Sequence, residues 1–344
     1  KKSKVKAKIF TRLFYRHWSA FTEFKRSHLF VVPADSFVGD AVSVPGKPTA
    51  SPTVPRDLTP GDHDVPPFSL GGQDMYAISP DGQEVAYTSN IDEVEATSTN
   101  DEIFIVPMSG GAPKKISTSP GADTTPLYSP NGKYIAWRSQ ERAGFEADKW
   151  RLFVQDRQTG NTRDLTEKFD RSVGSFAWRS DSTGLEFAAE DHGGAPIFGV
   201  SVKEATSPSG GGADALHADD LVFSGDILFF TRMSARAPNE IWRSNPTPKD
   251  ELATYSLDSF LKSVTHMNDA LLSQIDMPPL ESFTFKGAND EEVQGFMVKP
   301  AGFDPNKKYP LKFLIHGGPQ GAWGNDWTYR WNAELFAASG NNGN

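Results

Sequence analysis

Short apolar runs, each bounded by turn-forming residues, recur along most of this chain. Glu84-Val-Ala-Tyr-Thr88, Tyr134-Ile-Ala-Trp-Arg138 and Leu185-Glu-Phe-Ala188 are rich in β-branched and aromatic residues and too short for helices, so they predict half-buried strands. Each follows a polar turn: Ser79-Pro-Asp-Gly82, Ser129-Pro-Asn-Gly132 and Ser180-Asp-Ser-Thr-Gly184. Asp or Asn in such turns bonds to its own backbone, and Gly supplies the left-handed conformation. The segments between the copies repeat as well. Glu102-Ile-Phe-Ile-Val-Pro107 leads to Gly110-Gly-Ala-Pro-Lys-Lys-Ile-Ser117, and Arg151-Leu-Phe-Val-Gln-Asp156 to Thr159-Gly-Asn-Thr-Arg-Asp-Leu-Thr166. Leu221 to Thr231 with Glu240-Ile-Trp-Arg243 is a degenerate fourth copy, and His28 to Pro33 with Arg56-Asp-Leu-Thr59 resembles the second half of an earlier one. Four short strands in each repeat of about 50 residues describe a β-propeller blade. The expectation is a mainly β chain with about four complete blades and a partial one, further blades lying upstream.

The pattern changes after Asp276, which places a domain boundary between 276 and 277. Ser282-Phe-Thr-Phe285 and Val293-Gln-Gly-Phe-Met-Val298 alternate as a hairpin around the acidic turn Asn289-Asp-Glu-Glu292. A buried strand is expected over Leu311–Ile315, then the loop His316-Gly-Gly-Pro-Gln-Gly321, then a helix over Ala333–Ser339 capped by Asn332 and stopped by Gly340. Residues 277–344 therefore read as the truncated start of an α/β domain. Gly317 and Gly318 carry no β-carbon and Pro319 has no N–H, so the loop offers two bare backbone donors. It is either a glycine turn or half of an oxyanion hole.

Composition narrows the function classes. The chain has 344 residues, starts at Lys1 rather than Met and stops at Asn341-Asn-Gly-Asn, so it reads as a piece of a longer protein. The net charge is −9, but residues 1–26 hold nine Lys/Arg against Glu23, leaving 26 basic and 43 acidic groups in the remainder. An acidic body argues against nucleic acid as a partner, and the basic start reads as a solvated flank. The absence of Cys excludes disulfides, thiol catalysis and thiolate metal sites. No apolar run of about 18 residues predicts a membrane helix, and no cofactor or metal is expected. A periplasmic or secreted location is favoured over the cytoplasm, and the sequence leaves a homo-oligomer open.

The segment Leu314-Ile-His-Gly-Gly-Pro-Gln-Gly-Ala-Trp323, the run Trp327-Thr-Tyr-Arg-Trp-Asn332 and the upstream Arg16-His-Trp18 resemble the prolyl oligopeptidase family of serine peptidases, and most of all its dipeptidyl-peptidase V and acylaminoacyl-peptidase branch. The resemblance implies a propeller followed by an α/β-hydrolase domain, and hydrolysis of short peptides by a Ser-His-Asp triad through an acyl-enzyme. It implies Gly318 as oxyanion donor, with Gly317 and His316 shaping the loop. The nucleophile motif Gly-x-Ser-x-Gly occurs nowhere in the 344 residues. The triad is therefore expected downstream, and the chain alone is expected to be inactive. Release of N-terminal dipeptides is the first reading; acylaminoacyl-peptidase or oligopeptidase activity, or a non-catalytic TolB-like binding propeller, are the alternatives.

Other residues invite chemistry. Glu190 and Asp191, in Glu190-Asp-His-Gly-Gly194, form a polar turn, a metal site or a seat for a substrate's free amine. Trp323, Trp327 and Trp331 wall a substrate pocket or pack an interface. Asp62-His-Asp64 carries metal-ligand residue types, but neighbours on an extended chain point opposite ways. The Gly-rich stretch Ala205–Ala213 lacks the Gly-Lys-Ser/Thr of a phosphate loop and reads as a flexible surface loop.

Overall fold

The fold was analysed in a computed structural model that describes residues 4–13, 15–17, 19–21, 25–33, 54–67, 75–203, 207–211, 216–244, 261–318 and 321–338. Trp18, Pro319, Ser339, Gly340 and, in the Gly-rich stretch, residues 205–206 and 212–213 lie outside the described residues. The chain divides into two compact units, Lys1–Asp164 and Leu165–Asn344.

In the first unit, β1 (Arg16–His17) pairs with β2 (Ala20–Phe21), and β3 (Phe30–Val31) pairs with β4 (Arg56–Asp57). The second pair is the predicted half copy. Two four-stranded antiparallel sheets follow. One holds β5 (Tyr76–Ile78), β6 (Glu84–Ser89), β7 (Glu102–Pro107) and β8 (Lys114–Lys115); the other holds β9 (Asp123–Tyr128), β10 (Tyr134–Ser139), β11 (Arg151–Asp156) and β12 (Thr162–Asp164). Both are meanders in chain order, as the repeat requires. Their turns share one bonding scheme. The Ser79 hydroxyl accepts the Glu84 N–H at 3.1 Å, and Gly82, at φ 69°, donates its N–H to the Ser79 carbonyl at 2.8 Å. Ser129, Gly132 and Tyr134 repeat these bonds at 2.9 and 2.8 Å, with Gly132 at φ 67°.

The two sheets of this unit pack through Ala86, Ile103, Ile135 and Trp137, all buried, with Tyr128 beside them. At the edge of that core Glu84 accepts the Tyr128 hydroxyl at 2.9 Å and the Arg157 guanidinium at 2.7 Å, while the guanidinium lies 5.0 Å over the Tyr128 ring. Desolvation and the adjacent Glu84 carboxylate hold the Tyr128 hydroxyl well above its ordinary range.

The second unit begins with two more four-stranded antiparallel sheets. The first holds β13 (Phe176–Trp178), β14 (Gly184–Ala188), β15 (Ile197–Ser201) and β16 (Ser209–Gly210); the second holds β17 (His217–Ser224), β18 (Ile227–Ser234), β19 (Ala237–Ser244) and β20 (Leu261–Ser263). Ala188, Ile197, Leu216, Leu228 and Phe230 form the buried layer between them. The hairpin β21 (Glu281–Lys286) and β22 (Glu292–Met297) follows a short helix α1 (Asp269–Leu272), and α2 (Ala333–Ala338) ends the described chain. Asn332 caps α2, its side-chain oxygen accepting the Leu335 N–H at 2.8 Å. The described chain is therefore mainly β, built of four-stranded antiparallel sheets as the repeats require.

Three expectations are corrected. The third repeat turn is shifted by two residues: Ser182, not Gly184, takes the left-handed position at φ 60°, and its N–H reaches the Arg179 carbonyl at 2.9 Å. Gly184 instead opens β14, where a β-carbon would lie 2.5 Å from the Val200 carbonyl oxygen. Part of the Gly-rich stretch is a strand, since Gly210 pairs with Phe198 and Ser209 with Gly199. Glycine is required there because a β-carbon on Gly210 would stand 2.6 Å from the Ile197 carbonyl oxygen. Leu311–Ile315 forms no strand: it pairs with no segment among the described residues, and Leu311, Phe313 and Ile315 are exposed. An extended run becomes a strand only where a neighbour receives its N–H and C=O groups.

Candidate active site

His316, Gly317, Gly318, Trp323, Trp327, Glu190 and Asp191 all lie in the second unit. Gly317 and Gly318 are exposed, and a β-carbon on Gly317 would meet nothing within 4 Å, so the backbone there is open to an approaching group. Gly318, at φ 141°, sits where a side chain would be strained. The His316 imidazole Nδ1 lies 3.0 Å from the Gly317 carbonyl oxygen, and its ring stands 6.3 Å from Trp323. Trp323 stacks on Trp331 at 6.1 Å, and Trp331 lies 6.4 Å from Phe336 of α2. Lys312 adds a tether, its ammonium donating to the Phe336 carbonyl at 2.9 Å. Trp323 thus belongs to an aromatic row running from the loop to the helix. Trp327 does not: it meets Tyr329 edge-on at 5.7 Å and points its backbone N–H at the Met233 sulfur, 3.4 Å away on β18.

The acidic turn sits at the end of β14. Asp191 is engaged, since Arg171 reaches it at 3.1 Å and the His192 imidazole also bonds to it. Glu190 is exposed and has no ion pair among the described residues. The turn closes through reciprocal backbone bonds between Asp191 and Gly194, and His192 at φ 48° and Gly193 at φ 86° carry its left-handed backbone.

The structure brings this turn onto the segment that follows the glycine loop. The Asn325 N–H donates to the Gly193 carbonyl at 2.6 Å, and the Asn325 side-chain oxygen accepts the Ala235 N–H at 2.9 Å. From the hairpin, the Gln294 amide reaches the His192 carbonyl at 3.4 Å, and Phe296 packs so tightly on Gly193 that a β-carbon there would lie 2.2 Å from its ring. Nearby in the chain, the buried His217 Nδ1 and Trp327 Nε1 have no hydrogen-bond partner among the described residues. Burial holds the His217 imidazole below its ordinary pKa, against the pull of Asp326, Asp219 and Glu190.

Sequence reasoning missed Asn325, Gln294, Phe296 and Arg171. The available signal was glycine: Gly193, Gly194 and Gly324 are positions where another chain segment comes close, but a sequence does not say which. In the first unit the Asp62-His-Asp64 carboxylates face arginines, Asp62 bonding Arg12 at 2.8 Å and Arg26 at 2.9 Å, and Asp64 bonding Arg26 at 2.8 Å. Among the described residues no group of three His, Asp or Glu is placed to hold a metal.

Comparison with known proteins follows the same line. No protein-family profile matches the chain. It is 31% identical over 341 residues to dipeptidyl-peptidase 5 of Porphyromonas gingivalis, covering 98% of this chain and 46% of that protein. It is 30% identical over 350 residues to dipeptidyl-peptidase 5 of Arthroderma otae, covering 97% and 46%. The chain thus spans about half the length of the curated relatives it matches. Among solved structures, P. gingivalis dipeptidyl peptidase 4 aligns with TM-score 0.56 at 16% identity, covering 83% of this chain and 39% of that one. A puromycin hydrolase aligns with TM-score 0.54 at 14% identity, covering 79% and 40%. At these identities the structural likeness concerns the fold alone. Along nearly all of its own length the chain is homologous to dipeptidyl-peptidase 5, which bears out the resemblance read from its motifs.

Proposed function

We propose that this chain is the propeller and the opening segment of the peptidase domain of a serine-type dipeptidyl peptidase acting on short peptides, the domains meeting near residue 277. The observation that carries the reading is the homology to dipeptidyl-peptidase 5 over 98% of the chain. The geometry supplies complementary parts: a glycine loop with open backbone, and an acidic turn docked on the segment just after it.

In this reading the Gly318 N–H, with Gly317 beside it, faces the oxygen of the scissile carbonyl as negative charge develops there. A preformed backbone donor costs nothing to reorient and is worth more as the charge grows. Pro319 has no N–H and adds no donor to the loop. His316 holds the loop through its contact with the Gly317 carbonyl. The nucleophile and its base, a Ser-His-Asp set, come from residues outside this chain, since no Gly-x-Ser-x-Gly occurs in it. Of the two acidic residues, Glu190 is the one available to a substrate's ammonium group, because Asp191 already meets Arg171. Trp323, stacked beside the loop, offers an apolar wall to a substrate side chain, and Trp327 supports the segment from behind.

The test is a panel of chromogenic dipeptides with free and blocked N-termini, assayed on the full-length protein. Free-amine substrates are expected to be cleaved with release of the dipeptide. Preference for blocked termini would overturn the dipeptidyl reading in favour of an acylaminoacyl-peptidase, and no cleavage of either class would remove the enzymatic one.

A further inference from the structure

The contact between the Glu190–Gly194 turn and the segment after the glycine loop is built from backbone at its closest points. A β-carbon on Gly324 would lie 2.1 Å from the Gly193 carbonyl oxygen, and one on Gly193 would lie 2.2 Å from the Phe296 ring. Two glycines from distant parts of the sequence are therefore required at one spot, and Gly193 is further held to glycine by its φ of 86°. Asn325 follows Gly324 directly. Its backbone N–H donates to Gly193 at 2.6 Å, and its side-chain oxygen accepts the N–H of Ala235, a buried residue in the turn that follows β18. One residue thus ties three segments: the acidic turn, the β18–β19 turn and its own loop. The Trp327 N–H, aimed at Met233 two residues before Ala235, extends the same seam.

We infer that Asn325 is a positioning residue that staples the Glu190–Gly194 turn to the segment carrying Gly317, Gly318 and Trp323, so that one short peptide meets the carboxylate and the backbone donors in fixed register. The inference rests on the proposed peptidase function for its consequence and on geometry alone for the staple. A short peptide held at its ammonium end is useful to the reaction only if the carboxylate stands at a constant distance from the oxyanion donors. A misplacement of about 1 Å can cost of order a hundredfold in rate. The backbone bond from the Asn325 N–H to the Gly193 carbonyl links the two segments directly, and the Asn325 side chain fixes its direction by anchoring to a buried N–H.

The experiment is carried out on the full-length protein with Asn325→Ala, Asn325→Gln and Asn325→Asp, reading two quantities. The first is amide exchange at Ala235 and in the Glu190–Gly194 turn. Asn325→Ala is expected to speed exchange at Ala235 by about tenfold, the loss of one hydrogen bond, and Asn325→Asp, which keeps the acceptor, to restore protection. The second is selectivity. Asn325→Ala is expected to lower kcat/KM about tenfold more for dipeptides with a free amine than for blocked peptides, with rescue by Asn325→Asp. Asn325→Gln displaces the acceptor by one methylene; it is the milder probe should Asn325→Ala not fold, with the same direction and about a threefold effect.

Unchanged exchange overturns the staple. Altered exchange with equal losses of kcat/KM on both substrate classes, or with no loss on either, overturns the positioning role. Wild-type preference for blocked peptides overturns the dipeptidyl reading instead, and the staple is then decided by exchange alone.

Discussion

Replacement of Asp123 by Asn should flatten the pH dependence of stability between about pH 4 and 7. Asp123 opens β9 and is 1% exposed. Its carboxylate accepts the Trp137 indole N–H at 2.9 Å and the Ser119 N–H at 3.3 Å. These bonds favour the charged form, but burial opposes it more strongly and pushes the pKa up to about 6 from 3.8. Between these values the folded chain binds a proton that the unfolded chain has released. Stability is therefore highest at the acid end of the window and falls as pH rises through about 6. A shift of about two units corresponds to about 3 kcal/mol, lost from pH 4 to pH 7. Asn is nearly isosteric and keeps the acceptor for Trp137, so the packing of the indole should survive. Urea unfolding of both proteins at intervals across pH 4–8 isolates this group, since all others titrate in both. The free-energy difference between variant and wild type should grow in the variant's favour by about 2–3 kcal/mol from pH 4 to pH 7. Parallel pH profiles would refute the assignment and mean that Asp123 is solvated or ionised throughout.

Other perturbations test separate parts. Gly318→Val in the full-length protein should lower kcat by about 10²–10³ with KM little changed if its N–H supports the oxyanion; unchanged turnover would reduce the loop to a turn. Arg157→Met and Glu84→Gln, combined in a double-mutant cycle, should show a coupling of about 1–2 kcal/mol in urea unfolding, because the half-buried pair shares Tyr128. Additivity within about 0.3 kcal/mol would mean the pair is only a surface contact. Asn332→Ala should destabilise α2 by about 1 kcal/mol, seen as faster exchange at the Leu335 amide. Glu334 in α2 is buried beside Arg236 and Asp276, and its carboxyl is raised to about 7. Glu334→Gln should therefore stabilise the helix region at pH 8 and have little effect at pH 4, followed by exchange at both pH values.

Much of this protein is legible from local pattern. The inner strands of the repeat are short apolar runs buried on both faces rather than half-buried, as β6 and β10 show, and its turn needs Ser, Asp or Asn and Gly because specific backbone groups must be satisfied within six residues. Both constraints are written in adjacent positions, so the meander sheets, the hairpin and the Asn332 cap could be read directly. The third repeat marks the limit of that reading. Its Gly184 looks like a turn glycine, yet Ser182 takes the left-handed position and Gly184 yields to a carbonyl from β15. The same applies to Gly210, where a supposed loop is an edge strand because a neighbouring backbone comes within reach of its missing side chain.

What the sequence determined by itself was the repeat, the mainly β architecture and the chemical character of the two stretches that matter, the glycine loop and the acidic turn. The docking of the acidic turn on the segment that follows the glycine loop was decided by tertiary structure alone. Gly193 and Gly324 lie far apart along the chain, and their contact depends on how β15, β18 and the hairpin pack, a cooperative outcome that no local pattern records. The exposed apolar run Leu311–Ile315 makes the converse point, since hydrophobic alternation states a capacity to pair while only a neighbouring strand realises it.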